Sequence, residues 1–400
     1  MRLGLNKQRL QDYSFCAYAF SLHYEMLTLP GGATMPKLAA FIYVIVLLLT
    51  TKETFRLDRI ELYIMTPFLL AIVFLLSNFI NSGQGYLNIP FLLNIFLFWF
   101  IINHYRRNQK ILGYFIIWYV LGAIVLSACF VMGIGVHLNE TGRMTMFGDS
   151  TNTDTNSIGT RTGMAIILIV YLMMELKNKW LKLILSLPLL ALISLSAMLA
   201  SRTGILVWVL GVSCLVLFSI KKRIYKFIAV CCLISAGIIG FNIMESEELK
   251  VYERIMDSVE KGDVSSRDDL WKMYVPAVEQ NPVWGIGIDG MNMWSRVRIG
   301  DEMSPHNVFL EVALLGGLIG ISVFLWFIGS ITYTRVRRYL QTKEFVYVTF
   351  LIPMYAQLVS GQVLYVKWFW VLAALSIAES LQLSKKTILN KRNETGIVYS

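Results

Sequence analysis

The run ILGYFIIWYVLGAIVLSACFVMGIG, residues 111–135, carries no charged side chain, and similar runs recur along the chain. A helix needs about 20 apolar residues to cross the hydrocarbon core of a bilayer. Within that core only helices and closed barrels satisfy every backbone amide. Twelve runs are predicted as spans: 10–28, 36–51, 62–80, 86–103, 111–135, 159–176, 181–200, 203–220, 224–243, 306–331, 345–361 and 365–382. A composition of 56% hydrophobic and 16% charged residues, with a mean hydropathy of +0.59, is too apolar for a soluble fold of 400 residues. The expected fold is therefore all-α, a polytopic membrane protein of about 12 transmembrane helices. The first span lacks a small-residue cleavage site and is expected to be retained.

Charge sets the expected orientation. With a cytoplasmic N-terminus, 24 of the 36 Lys and Arg fall in both tails and in the segments 51–61, 103–110, 177–182, 221–226 and 335–343. The short loops of the opposite face hold only Lys37, Arg143, Arg161, Arg202 and Lys367. Basic residues in short loops mark the cytoplasmic side, so both termini are predicted there. The net charge of +10 then reflects topology and contact with anionic lipid, not a nucleic-acid footprint. The five cysteines all fall inside apolar spans, which gives neither a disulfide framework nor a metal-ligand spacing. No P-loop, GxSxG or His-rich tract is present, which argues against a nucleotide-driven pump.

The rhythm of spans breaks once, between the ninth and tenth. Residues 244–305 form a predicted external loop holding 13 of the 26 acidic residues, and loops of such length usually carry function. Four regions follow: an N-terminal bundle at 1–158, central helices at 159–243, the loop at 244–305, and C-terminal helices with a tail at 306–400. Within the loop, EELKVYERIMDSVEK shows a helical apolar stripe. SSRDDLWKMYVPAVEQNP reads as a second helix, with Ser266 and Asp269 as a capping pair and Asn281-Pro282 as its stop. GIGIDGMNMW reads as a compact turn region.

Where the chain re-enters the membrane, SPHNVFLE places one of only four histidines. Ser304 is expected as N-cap, Pro305 as first helical residue and His306 in the first turn. The positive end of a helix disfavours imidazolium, so a neutral His306 at the outer surface suits a general base. The plain alternative is a polar interfacial residue. Arg202 in ASRTGIL and Arg161 in GTRTGMA sit at the outer start of inward-running spans, and Arg267 opens a loop helix. Each alone reads as a snorkelling anchor. Together, on positive helix ends, they suit an anion whose oxygens match the guanidinium fork, such as a phosphate. Asp268 and Asp269 offer Arg267 an ordinary partner instead. Trp271, Trp284 and Trp294 fit either sugar stacking or loop core.

The segment SPHNVFLEVALLGGLIG resembles a signature of the O-antigen polymerase and ligase family: His306-Asn307, nine residues, then Gly317-Leu-Ile-Gly320. LSLSAMLASRTGIL resembles that family's Ser-Arg-Thr-Gly segment, and SSRDDLWKMYVPAVEQNPVWGIGIDG its Arg-x-x-Leu-Trp, Asn-Pro and Gly-x-Gly stretch. The likeness runs over roughly 195–325, with DSTNTDTNSIG around Asn156 as a loose upstream echo. It implies a glycosyltransferase that uses a polyprenyl-diphosphate-linked glycan at the external membrane face. No nucleotide is needed, because a lipid diphosphate is already a leaving group. Arg202 and Arg267, with Arg161 as a third, would bind the diphosphate, and His306 would deprotonate the acceptor hydroxyl with inversion at C1. Asn307 would orient the base or a sugar, and Gly317 and Gly320 would allow close helix packing. Neither metal nor cofactor is expected. The expected partners are lipid-linked donor and acceptor, membrane lipid and other polysaccharide-assembly proteins. Polymerase is the first expectation and ligase the alternative. A flippase or transporter is the rival of another class, against which stands the scarcity of mid-span charge, Glu311 being among the few.

Overall fold

The computed structural model describes residues 7–30, 32–51, 62–83, 85, 88–138, 143–147, 155–220, 222–247, 250, 252–253, 255–256, 267–361 and 363–378. Eight of its helices are long and apolar enough to cross a membrane. They are Ile64–Ser82, Ile89–Arg107, Ile111–Val131, Thr155–Glu175, Lys179–Met198, Arg202–Ser219, Arg223–Ile243 and Val308–Thr342. The other four predicted spans appear as shorter helices: Lys7–Ser21, Met35–Thr50, Val346–Val359 and Lys367–Ala378. One small departure from an all-α chain is a two-stranded antiparallel hairpin, Val136–Leu138 with Met144–Met146.

Helix starts follow the polar residues between apolar runs. Asn88, Asn178 and Ser201 each accept a hydrogen bond from an amide of the first turn, at 2.9 to 3.1 Å, satisfying donors that the helix itself leaves open. Polar contacts then sort the helix ends into two groups. At one end Asp12 accepts from Asn108 at 2.8 Å and meets His104 at 3.0 Å, and Gln11 donates to Thr50 at 2.7 Å. Arg335 joins Ser376 at this end, 2.7 Å away. At the other end Glu25 pairs with Arg161 and Lys367, Asn156 with Ser201, and Asn78 with Asp289. The second group contains the segments predicted to face outward.

The echoing sequences GTRTG and SRTG prove to be a packing pair. Helices 155–175 and 202–219 approach so closely that a Cβ on Gly204 would lie 2.7 Å from the Gly159 backbone. Small residues permit such contact where two apolar helices have no hydrophobic drive to associate in lipid.

The long helix Val308–Thr342 is not continuous. Gly317 adopts φ 59 and ψ −152, a conformation that only glycine takes without strain. The break frees backbone groups, and the loop 282–286 satisfies them. Ile286 N donates to Leu314 O at 2.7 Å, Leu318 N to Pro282 O at 2.8 Å, and Ile319 N to Val283 O at 3.4 Å. A Cβ at Gly317 would collide with the Val283 carbonyl. The predicted role of Gly317 in helix packing is thus corrected: it receives the loop 282–286. Gly320 does pack closely, its nearest contacts being Val312 and Phe74. At about 1.5 Å per residue, the break lies roughly 14 Å along the helix from its start. Irregular backbone at such depth is tolerated because protein surrounds it.

Gly317→Ala is expected to lower the melting temperature of the detergent-solubilised protein more than Gly320→Ala. Its Cβ meets backbone rather than a movable side chain, and it enforces a left-handed conformation on alanine. Equal melting curves for the two variants would contradict this account of the break.

Candidate active site

The second loop helix forms as Arg267–Gln280 and ends where Asn281-Pro282 was expected to stop it. Its proposed capping residue Ser266 lies outside the described residues, as do Leu249 and Val259 of the stripe in 247–261, whose Tyr252, Ile255 and Met256 are helical and half-buried. The segment read as a turn is instead mostly helix, Gly287–Ile299, and only the residues before it turn. Asn78 explains the difference. Its side-chain oxygen accepts from the Asp289 amide at 3.1 Å, in the helix's first turn, while its amide donates to the Asp289 carboxylate at 2.9 Å. Asn81 adds a bond to Gly285 O at 3.0 Å. These two asparagines in SNFINS, at the outer end of helix 62–82, carried no motif signal. Their polarity at the end of an apolar run was the available clue.

The helix carrying His306 starts later than its sequence suggests. Asn307, not Ser304, is the N-cap: its side-chain oxygen accepts from Phe309 N at 3.0 Å and Leu310 N at 3.3 Å. His306 therefore lies one residue before the cap, with φ 52, and its amide donates to Ser304 Oγ at 3.3 Å. Tertiary bonds hold this stretch out of the helix. Trp271 donates its indole N–H to Pro305 O at 3.0 Å, and Tyr274 donates its hydroxyl to Met303 O. Burial raises the Tyr274 pKa while the neighbouring Ser295 lowers it, with a net rise that keeps the phenol a donor. Trp294 donates to Met273 O at 2.9 Å, locking the two loop helices together, and Arg298 stacks on its ring at 3.5 Å. Trp271 and Trp294 thus form loop core.

Arg267 and His306 are brought together in this sense: they sit on two segments joined by Trp271 and Tyr274. Arg202 opens helix 202–219 directly after its cap Ser201, whose hydroxyl donates to Asn156 at 3.1 Å. The Asn156 echo therefore lies beside Arg202. Helix Leu351–Ser360 packs against 155–175, 202–219 and 308–342, meeting the last of these where the Tyr355 hydroxyl lies 2.6 Å from Thr332. Arg161 is placed differently from its fellows. It is 1% exposed, donates to Leu22 O at 2.9 Å and pairs with Glu25 at 3.1 Å, leaving Nη2 without a hydrogen bond among the described residues. Lys367 shares the same carboxylate. Glu25, a charge inside the first predicted span, was the signal for this clasp.

Arg161→Ala is expected to destabilise the folded protein by about 3–5 kcal/mol, because it strips one partner from a buried ion pair. Arg202→Ala, at a half-exposed helix start, is expected to cost well under half of that. Thermal unfolding in one detergent compares the two, and equal losses would remove the special status of the Arg161 clasp.

No curated protein matches the chain. Residues 190–325, about a third of the chain, match the family model described as O-Antigen ligase. The match spans Arg202, Arg267, His306 and the Gly317 break, the same stretch whose motifs carry the resemblance. Over residues 190–325 this membrane protein is thus similar to the O-antigen ligase family.

Proposed function

We propose that the protein transfers glycan from a polyprenyl diphosphate carrier to the hydroxyl of an acceptor lipid-linked repeat unit, at the external face of a bacterial plasma membrane. The observation that carries this reading is the joining of the Arg267 helix to the His306 segment through Trp271 and Tyr274. It supports a phosphate-binding cation and a proton acceptor working on one substrate. Arg202 and Arg267 bind the diphosphate, whose oxygens match the guanidinium fork, and neutralise charge as it leaves. Arg161, buried and paired with Glu25, is assigned a third and indirect share of that field. His306 takes the acceptor proton as the hydroxyl oxygen attacks C1 and the bond from C1 to the diphosphate breaks, inverting the anomeric carbon. Asn307 fixes the direction in which the helix, and so the histidine, begins. The reading assigns no step to a metal or cofactor.

A second reading is ligase, in which finished glycan moves to another lipid or polymer, and the description of the matched family favours it. Deleting the gene separates the two. Single repeat units on surface lipid mark a polymerase, whereas long chains trapped on the carrier mark a ligase. Undisturbed chain length and attachment would overturn both.

Arg202→Ala, Arg267→Ala and His306→Ala are each expected to abolish chain growth while membrane-inserted protein persists. Loss of a general base costs roughly 10²–10⁴-fold in rate. Lysine is expected to substitute poorly for either arginine, since it lacks the planar fork. Full activity of both lysine variants would return these residues to the role of interfacial anchors.

Orientation is tested independently. After replacement of the native cysteines, Met293→Cys, an exposed position in helix 287–299, is expected to react with an impermeant thiol reagent in intact cells. Lys222→Cys is expected to stay unlabelled until the membrane is opened. The opposite pattern would invert the topology and sink the external mechanism.

A further inference from the structure

Glu311 stands in the first turn of helix 308–342, the one acidic residue there. It is 0% exposed, and the phenol of Tyr365 is the hydrogen-bonding group beside its carboxyl. Buried carboxyl groups are costly without partners, and in membrane proteins they mark function more often than stability. Its surroundings locate it. Its amide donates to Asn307 O at 2.9 Å, so the carboxyl belongs to the turn directly beneath the residue after His306. Helical side chains lean towards the N-terminus, which carries this one towards the 303–307 segment. The titratable groups within electrostatic reach are the phenols of Tyr274, which holds Met303, and of Tyr365. Several charges on the neighbouring loop helices are engaged elsewhere, Asp289 with Asn78, Arg296 with Glu302, Arg298 with Trp294 and Lys272 with Asp269; helix 267–280 also carries Arg267, Asp268 and Glu279.

The proposed reaction creates a difficulty that this carboxyl resolves. When His306 takes the acceptor proton it becomes an imidazolium beside the positive end of a helix, where a cation is disfavoured. A carboxylate in that first turn is favoured by the same dipole and offsets the new charge. We propose that Glu311 is the positioning residue of His306: its carboxyl accepts a hydrogen bond from one ring nitrogen, leaving the other to face the acceptor hydroxyl, and supplies the counter-charge when the proton arrives. A base oriented by a third group is a recurrent arrangement, and its hydrogen bonds are often open until substrate binds. The proton moves from the acceptor oxygen to the ring, and no further bond changes. This inference rests on the base role of His306.

The test uses purified full-length protein in vesicles supplied with lipid-linked glycan extracted from a deletion strain, with turnover measured against pH. Glu311→Gln keeps the shape and removes the charge. It is expected to lower turnover roughly ten-fold or more, with the donor KM changed less than about two-fold, because the arginines that bind donor remain. The acid limb of the profile is expected to move to lower pH. Removing a negative neighbour makes imidazolium less favourable, so the base stays neutral further into acid. Glu311→Asp is expected to retain the wild-type limb. Unchanged turnover in Glu311→Gln, or reduced turnover with an unmoved acid limb, overturns the proposal. So does failure of both variants to insert and fold, which would make the carboxyl structural. Active His306→Ala would instead defeat the base assignment itself, whereas inactive His306→Ala beside normal Glu311→Gln would defeat the Glu311 role alone.

Discussion

The break at Gly317 is the constraint on which the outer half of the molecule depends. A helix interrupted in the membrane leaves carbonyl and amide groups with no water to receive them, and each such group costs several kcal/mol if left bare. Here Leu314, Leu318 and Ile319 find their partners in Ile286, Pro282 and Val283. The loop 282–286 is therefore held by backbone bonds to the helix that begins just after His306. Asn78 and Asn81 fasten the same loop to helix 62–82. With its base so fixed, the loop can present a helix whose first residue, Arg267, stays in register with the histidine.

A second arrangement supports the other arginine. Gly159 and Gly204 let helices 155–175 and 202–219 touch backbone to backbone. This contact sets Ser201, and so Arg202, beside Asn156. Arg161 starts from a similar sequence yet ends in a different environment, turned into the bundle towards Glu25 and the Leu22 carbonyl. The repeated RTG thus serves one purpose in packing and two in charge. Burial converts one guanidinium into a clasp between the segments at 22–25, 161 and 367, while the other stays half-exposed at the surface.

Much of this was legible beforehand because it depends on local chemistry. Apolar runs near 20 residues specify membrane helices whatever their neighbours, and Asn281-Pro282 ended the 267–280 helix as expected. The start of the histidine helix was misread for an equally physical reason. Ser304-Pro305 is a good local N-cap signal, but Trp271 and Tyr274 hold the carbonyls of Pro305 and Met303, and Asn307 caps two amides at once. Among the described residues, eight of the twelve expected spans form helices long and apolar enough to cross a membrane, and the other four form shorter helices.

The sequence by itself determined the helical membrane class, the family motifs and the candidates Arg202, Arg267 and His306. Each depends on residue type and near-neighbour spacing, which a linear pattern carries. Only the tertiary structure decided that Gly317 is a socket, that Arg161 is paired with Glu25, that His306 lies outside its helix, and that Glu311 is fully buried. Those outcomes turn on which groups remain to satisfy a buried donor, acceptor or charge. Their partners lie up to 342 residues apart, as Glu25 and Lys367 do, and no local signal encodes such a meeting.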